Sequence, residues 1–207
     1  MRQQFYFTIT VLIMLLDLSS YAQARITNKK ELTIDTTIRS EVDKHISQFK
    51  RQANSNVSYS IYEGDKIIKT SNALGEPGLS FSSFIENTTV INCLNGIEEG
   101  IGFDLILSKD TTLLRFKLVS ALNEESLRQG IPPEISVECI SYKIVLADKP
   151  TFAKGELVVG KIELESDYFY IMVGEEKRQL KCKSEVYFRS EPLPIKDGKY
   201  LTLDKKK

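Results

Sequence analysis

Alternation with a period of two constrains this chain more than any other feature. In "IGFDLILSKDTTLLRFKLV" Ile101, Phe103, Leu105 and Leu107 point one way. "SKDT" supplies a turn, and Leu114, Phe116 and Leu118 answer from the second arm, with Arg115 and Lys117 outside. A helix would scatter these apolar side chains around its axis, whereas a half-buried antiparallel hairpin lines them up. The same period runs through "VSYSIYEGDKIIKT", where Val57, Tyr59 and Ile61 alternate before an "EGDK" turn. It returns in "LVVGKIELESDYFYIMV" and "RQLKCKSEVYF", with "GEEK" between them as a hairpin turn.

"ISVECISYKIVLA" (135–147) reads as a long strand whose alternation changes phase near Cys139, which predicts a bulge. "LSFSSFIENTTVINC" is strand-like but less regular, "GEPG" (75–78) is a break, and "NEESLR" carries a helical turn before "GIPP". The sum is about nine or ten short strands joined mostly by tight turns. That predicts a mainly β chain, as an antiparallel β-sandwich or a partly closed β-barrel.

One segment departs from this period. In "DTTIRSEVDKHISQFKRQA" (35–53) Ile38, Val42, Ile46 and Phe49 recur at helical spacing, and the charged residues fall elsewhere. Asp35 stands where an N-cap would, Lys50 and Arg51 sit near the end, and "NSN" (54–56) stops the pattern. A single apolar stripe requires that this N-terminal amphipathic helix lie against a sheet.

Residues 1–24 read as a cleaved signal peptide: Met1-Arg2 is positive, Phe5 to Leu16 is apolar, and Ala22-Gln23-Ala24 offers an A-x-A cleavage pattern. The apolar run is shorter than the roughly 20 residues a bilayer crossing needs. The expected organisation is a leader (1–24), an N-terminal segment bearing the helix (25–56) and an antiparallel β domain (57–207), the last two packed as one unit. The product would be exported and soluble, periplasmic or extracellular, with no transmembrane segment in the mature chain.

Charge narrows the function classes. The 28 basic and 28 acidic residues balance, and only Lys205-Lys206-Lys207 forms a run, so there is no nucleic-acid footprint. The three cysteines, Cys93, Cys139 and Cys182, form no C-x-x-C motif. They permit one disulfide, with Cys139–Cys182 favoured because both lie in strong strand patterns, or they serve as small buried apolar groups.

His45 is the sole histidine, so every histidine-based triad would have to use it, and no G-x-S-x-G context exists. One histidine and three scattered cysteines do not supply zinc spacing, and neither a metal nor a cofactor is expected. The paired acids Glu98-Glu99, Glu124-Glu125 and Glu175-Glu176 fall in turns or connections. Neighbours in a strand point to opposite faces, so adjacency is no evidence of two carboxylates facing a substrate. "GIEEGIG" (96–102) lacks the Gly-Lys-Ser/Thr of a phosphate loop, and its glycines read as serving turns before a strand.

The aromatic residues remain. Strict alternation puts Ile162, Leu164, Ser166, Tyr168 and Tyr170 on one face and turns Phe169 to the other. "YFYIMV" is apolar on both faces, so it is either covered twice or leaves an aromatic patch exposed. Tyr168, Phe169, Tyr170 and Tyr187 form the candidate recognition patch, for a protein or saccharide partner. The functional expectation is a non-catalytic binding or interaction module of the cell envelope. The rivals are a lipocalin-like carrier of a small apolar ligand and a hydrolase with carboxylates from separate strands.

Overall fold

The computed structural model describes residues 29–49, 53–96, 100–119, 134–153 and 155–192, together with the backbone of 195–196 and 199–200. The leader, the "NEESLR" turn, Glu98-Glu99, Glu124-Glu125 and the terminal lysines lie outside the described residues.

Among the described residues the chain is mostly antiparallel β with one short helix. Strands β1 (Lys30–Ile34), β2 (Ser55–Glu63), β3 (Lys66–Thr70), β4 (Glu76–Ile85), β5 (Thr88–Asn95) and β6 (Gly100–Leu107) are followed by β7 (Thr112–Val119) and β8 (Glu134–Leu146). Strands β9 (Val158–Ser166), β10 (Phe169–Val173) and β11 (Glu176–Pro192) complete one eleven-stranded sheet. Two-residue strands β12 (Ile195–Lys196) and β13 (Lys199–Tyr200) pair separately. Helix α1 spans Ile38–Ser47.

The sheet curls into a partly closed ring. Its order runs β11-β9-β8-β7-β6-β5-β4-β2, and β2 pairs back to β11 from Ser55↔Phe188 to Tyr62↔Lys181. The ring is not a clean barrel, because two strands change partners partway along. Glu134–Glu138 of β8 pair with β7, and from Cys139 onward, across a register shift between Cys139 and Ser141, the strand pairs with β9. Its Tyr142–Leu146 half takes β1 as a parallel neighbour on the other side. Likewise β4 pairs with β2 through Glu76–Gly78 and with β5 from Leu79 onward. Strands that bend from one sheet into the next make the corners of such packings. The bulge predicted at Cys139 is one of those corners.

The 101–118 hairpin has the register its alternation predicts, with Ile101↔Leu118, Phe103↔Phe116 and Leu105↔Leu114. The interior is filled. Phe103, Phe116, Phe169, Phe188, Leu105 and Ile162 are all fully buried, and Phe103 meets Phe188 edge-on at 5.8 Å. Each such side chain contributes about 1.5–3 kcal/mol on leaving water. Strand β6 lies so close to β5 that a Cβ on Gly102 would stand 2.0 Å from the Cys93 carbonyl oxygen. The second half of "GIEEGIG" is therefore strand, held glycine by backbone approach, and its glycines do more than serve a turn.

Helix α1 lies outside the ring. Ile38 and Val42 form a second small core with Ala147, Val159 and Tyr187, and Ile46 packs against it. Asp35 starts the helix two residues before its cap: its Oδ1 accepts from the Thr37 N–H (2.9 Å) and hydroxyl (2.7 Å). Those two bonds hold the Asp35 carboxyl below its ordinary pKa. The helix ends at Ser47, so Phe49 falls beyond the stripe it was expected to close. Ion pairs Arg39–Asp148 and Arg189–Asp43 tie its exposed side to the sheet. Among the described residues no helix is long and apolar enough to cross a membrane.

Candidate functional site

The candidate patch depends on one extra residue. Glu165 stands opposite Lys183, and Phe169 stands opposite Leu180. Four steps along β9 and β10 thus face three steps along β11, and the surplus residue sits in Asp167-Tyr168. This is a β-bulge, and it reverses which face every later side chain takes. Local polar groups hold it. The Asp167 N–H donates to the Glu138 carbonyl (2.9 Å), and the Tyr168 N–H donates to Asp167 Oδ1 (2.7 Å). The Ser166 hydroxyl donates to the Asp167 carbonyl and accepts from the Cys182 N–H, both at 2.8 Å.

The bulge corrects the expected orientation of this strand. Phe169 turns into the core, 2% exposed, while Tyr168 and Tyr170 are 48% and 50% exposed. Met172 and Val173 are exposed beyond them. An outer ridge results, continuing onto β11 and β2. Lys177 lies 4.2 Å over the Tyr170 ring, and Lys181 and Lys183 lie 5.9 and 5.8 Å over that of Tyr62. The hydrogen bond from Lys181 to Glu165 (3.2 Å) raises the lysine's pKa against the opposing effect of burial. Across Tyr62 stands the exposed Ile67 of β3. Strands β3 and β10 each have a hydrogen-bonded neighbour on one side only among the described residues.

Tyr187 does not join this ridge. It is buried under α1, where its ring stacks on His45 at 3.8 Å with planes 6° apart, and its hydroxyl donates to Glu41 Oε1 (2.8 Å). Burial first, and Glu41 second, push its phenol well above the ordinary pKa. Lys161 lies 5.1 Å over the same ring and 2.9 Å from both Glu163 and Glu185. Burial alone would lower its pKa, and the hydrogen bonds to Glu185, Glu163 and Tyr187 raise it instead. His45, the one candidate for histidine chemistry, is thus a stacking partner on a helix.

The cysteines are free and buried. Cys139 stands opposite Ser166, whose hydroxyl takes the Cys182 N–H, so these two thiols flank β9 from both sides. The Cys93 Sγ lies 3.2 Å from the Ser55 Oγ. Burial lifts Cys93 and Cys139 to about 12 and raises Cys182 as well, so none offers a thiolate near neutrality.

A hollow of about 650 Å³ opens at the mouth of the ring, and its polar side is Tyr59, Glu76, Asn95 and Lys69. Asn95 donates to Glu76 Oε2 (2.5 Å) and accepts from the Ile101 N–H (2.5 Å). The Tyr59 hydroxyl donates to Glu76 Oε1 (3.4 Å). Burial, reinforced by the Glu76 charge, lifts the Tyr59 phenol to about 12. Glu76 is the one carboxylate among the described lining residues, so two facing acids are not assembled there. Among the described residues no three metal-ligating side chains gather. Sequence reasoning missed this cluster because its members come from four strands: Tyr59 read as ordinary alternation, Glu76 as part of a break.

Compared with known protein families, with curated proteins and with solved structures, the chain matches none.

Proposed function

We propose that the protein is a non-catalytic binding module of the cell envelope that engages a partner protein through the outer ridge of β10, β11 and β2. The observation that carries this reading is the row Tyr168, Tyr170 and Met172, turned outward at the bulge and along β10, which among the described residues has a hydrogen-bonded neighbour on one side only. Tyrosine and methionine offer large contact area at low entropic cost and are enriched where proteins meet. Exposed apolar side chains on an edge strand are otherwise an aggregation liability. The lysines stacked over Tyr170 and Tyr62 keep the ridge wet without a partner and add polar contacts with one. Support for the envelope placement comes from the leader-like residues 1–24.

The test is affinity capture with the triple variant Tyr168→Ser/Tyr170→Ser/Met172→Ser beside the wild type. A control variant, Ile85→Ser, alters an apolar residue on β4 that is more exposed than any of the three. A specific partner should be retained by the wild type and by Ile85→Ser and lost by the triple variant. Retention by all three would reject the ridge as the recognition surface.

A further inference from the structure

The hollow at the mouth of the ring is separate from the ridge and has its own chemistry. Glu76 is held in place by Asn95 and Tyr59, one donor on each carboxylate oxygen. A carboxylate accepts about four hydrogen bonds, so each oxygen keeps capacity for a ligand. Lys69 lines the same hollow, its ammonium 6.0 Å from the centre of the Tyr59 ring. Among the described residues neither Glu76 nor Lys69 has an ion-pair partner, and they do not pair with each other. Elsewhere on this surface acids and lysines meet readily, as Lys161 does with Glu163 and Glu185. Ile101, Leu118 and Val119 give the hollow an apolar lining.

An acid and a base that line one hollow without meeting match a ligand carrying both complementary charges. Its ammonium would satisfy the open positions of Glu76, its carboxylate would meet Lys69, and an apolar side chain would cover Ile101 and Leu118. We infer that the mouth hollow binds a small zwitterion with an apolar side chain, of the α-amino acid class. A purely apolar ligand would strip water from Glu76 and return no hydrogen bond, at a cost no contact with Leu118 offsets. A ligand with one charge leaves either Glu76 or Lys69 unanswered. The hollow's volume falls within the roughly 300–1,000 Å³ of small-molecule sites.

The test is calorimetric titration of the whole folded protein with three probes of one shape. L-Leucine carries both charges, L-leucinol lacks the carboxylate, and 4-methylpentanoate lacks the ammonium. Leucine should bind, and each analogue should bind about 10-fold more weakly or worse, the effect of one lost charged hydrogen bond. Glu76→Gln should weaken leucine and leucinol and leave 4-methylpentanoate unchanged. Lys69→Met should give the mirror result, and at an exposed position of β3 it leaves the fold intact. No leucine binding at millimolar concentration, equal affinity for the three probes, or leucine affinity unaltered by Lys69→Met would overturn the inference.

Discussion

Phe169 lies against Phe116 inside the ring, ring centroids 5.2 Å apart and planes 28° from parallel, while its neighbour Tyr170 is half exposed. The bulge at Asp167-Tyr168 produces both facts, and the two residues should respond oppositely to truncation. Phe169→Ala should lower the unfolding free energy by about 3–5 kcal/mol, through lost transfer energy and the cavity left behind. Tyr170→Ser should stay within about 0.5–1 kcal/mol of the wild type. Chemical denaturation of both variants checks the pair, and comparable losses would contradict the orientation.

Gly102 sets how closely β6 approaches β5. Ala at this position would drive its Cβ into the Cys93 carbonyl and the Leu94 Cα, both backbone groups that no side-chain rotation can clear. Gly102→Ala should therefore cost about 2–4 kcal/mol, towards the upper end of overpacking losses. Gly174, where an added Cβ meets nothing within 4 Å, gives the contrast. Its φ of 64° still strains Ala, so Gly174→Ala should cost about 1 kcal/mol.

Alkaline pH should weaken the fold. The folded state raises Tyr59 from 10.0 to about 12, and Cys93 and Cys139 from 9.0 to about 12. Between those values the unfolded chain has released protons that the native chain still holds, so stability falls as pH rises. This contribution is present in full below pH 9.0 and is lost progressively from there to about pH 12. Tyr59→Phe removes one of these groups, and its melting temperature should decline less steeply over that window. Identical slopes for the two proteins would refute the assignment.

Thiol titration reads the same core chemically. All three cysteines should be unreactive towards a thiol reagent in the native protein, and all three should react after unfolding without reductant. One reactive thiol after unfolding would mean that two of the three are joined, and a peptide map would show whether the pair is Cys139 and Cys182.

The parts of this fold that were legible from sequence are those decided by neighbours in the chain. The Phe103↔Phe116 register follows from alternation and a tight turn, and the Ile38–Val42 stripe follows from helical spacing. The Cys139 bulge showed itself because ECIS breaks the apolar period. The Asp167-Tyr168 bulge did not, since Tyr168 and Phe169 are both large and apolar enough to occupy either face. Which ring goes in depends on partners distant in sequence, among them Phe116, some 50 residues away, and the Glu138 carbonyl that holds the bulge. Strand β1 escaped for a similar reason. "KELTI" is short, and its parallel partner β8 lies more than a hundred residues later. The mouth hollow carries no local signal at all, because Tyr59, Glu76 and Asn95 meet only when β2, β4 and β5 do.

Site-specific photocrosslinking tests the recognition ridge most directly. A photoreactive phenylalanine analogue placed at Tyr170 and, separately, at Ile85 samples two side chains that are 50% and 60% exposed on different strands. Irradiated in the cells that make the protein, position 170 should yield one discrete intermolecular product that position 85 does not. The same diffuse products from both positions, or none from position 170, would contradict a recognition surface on β10.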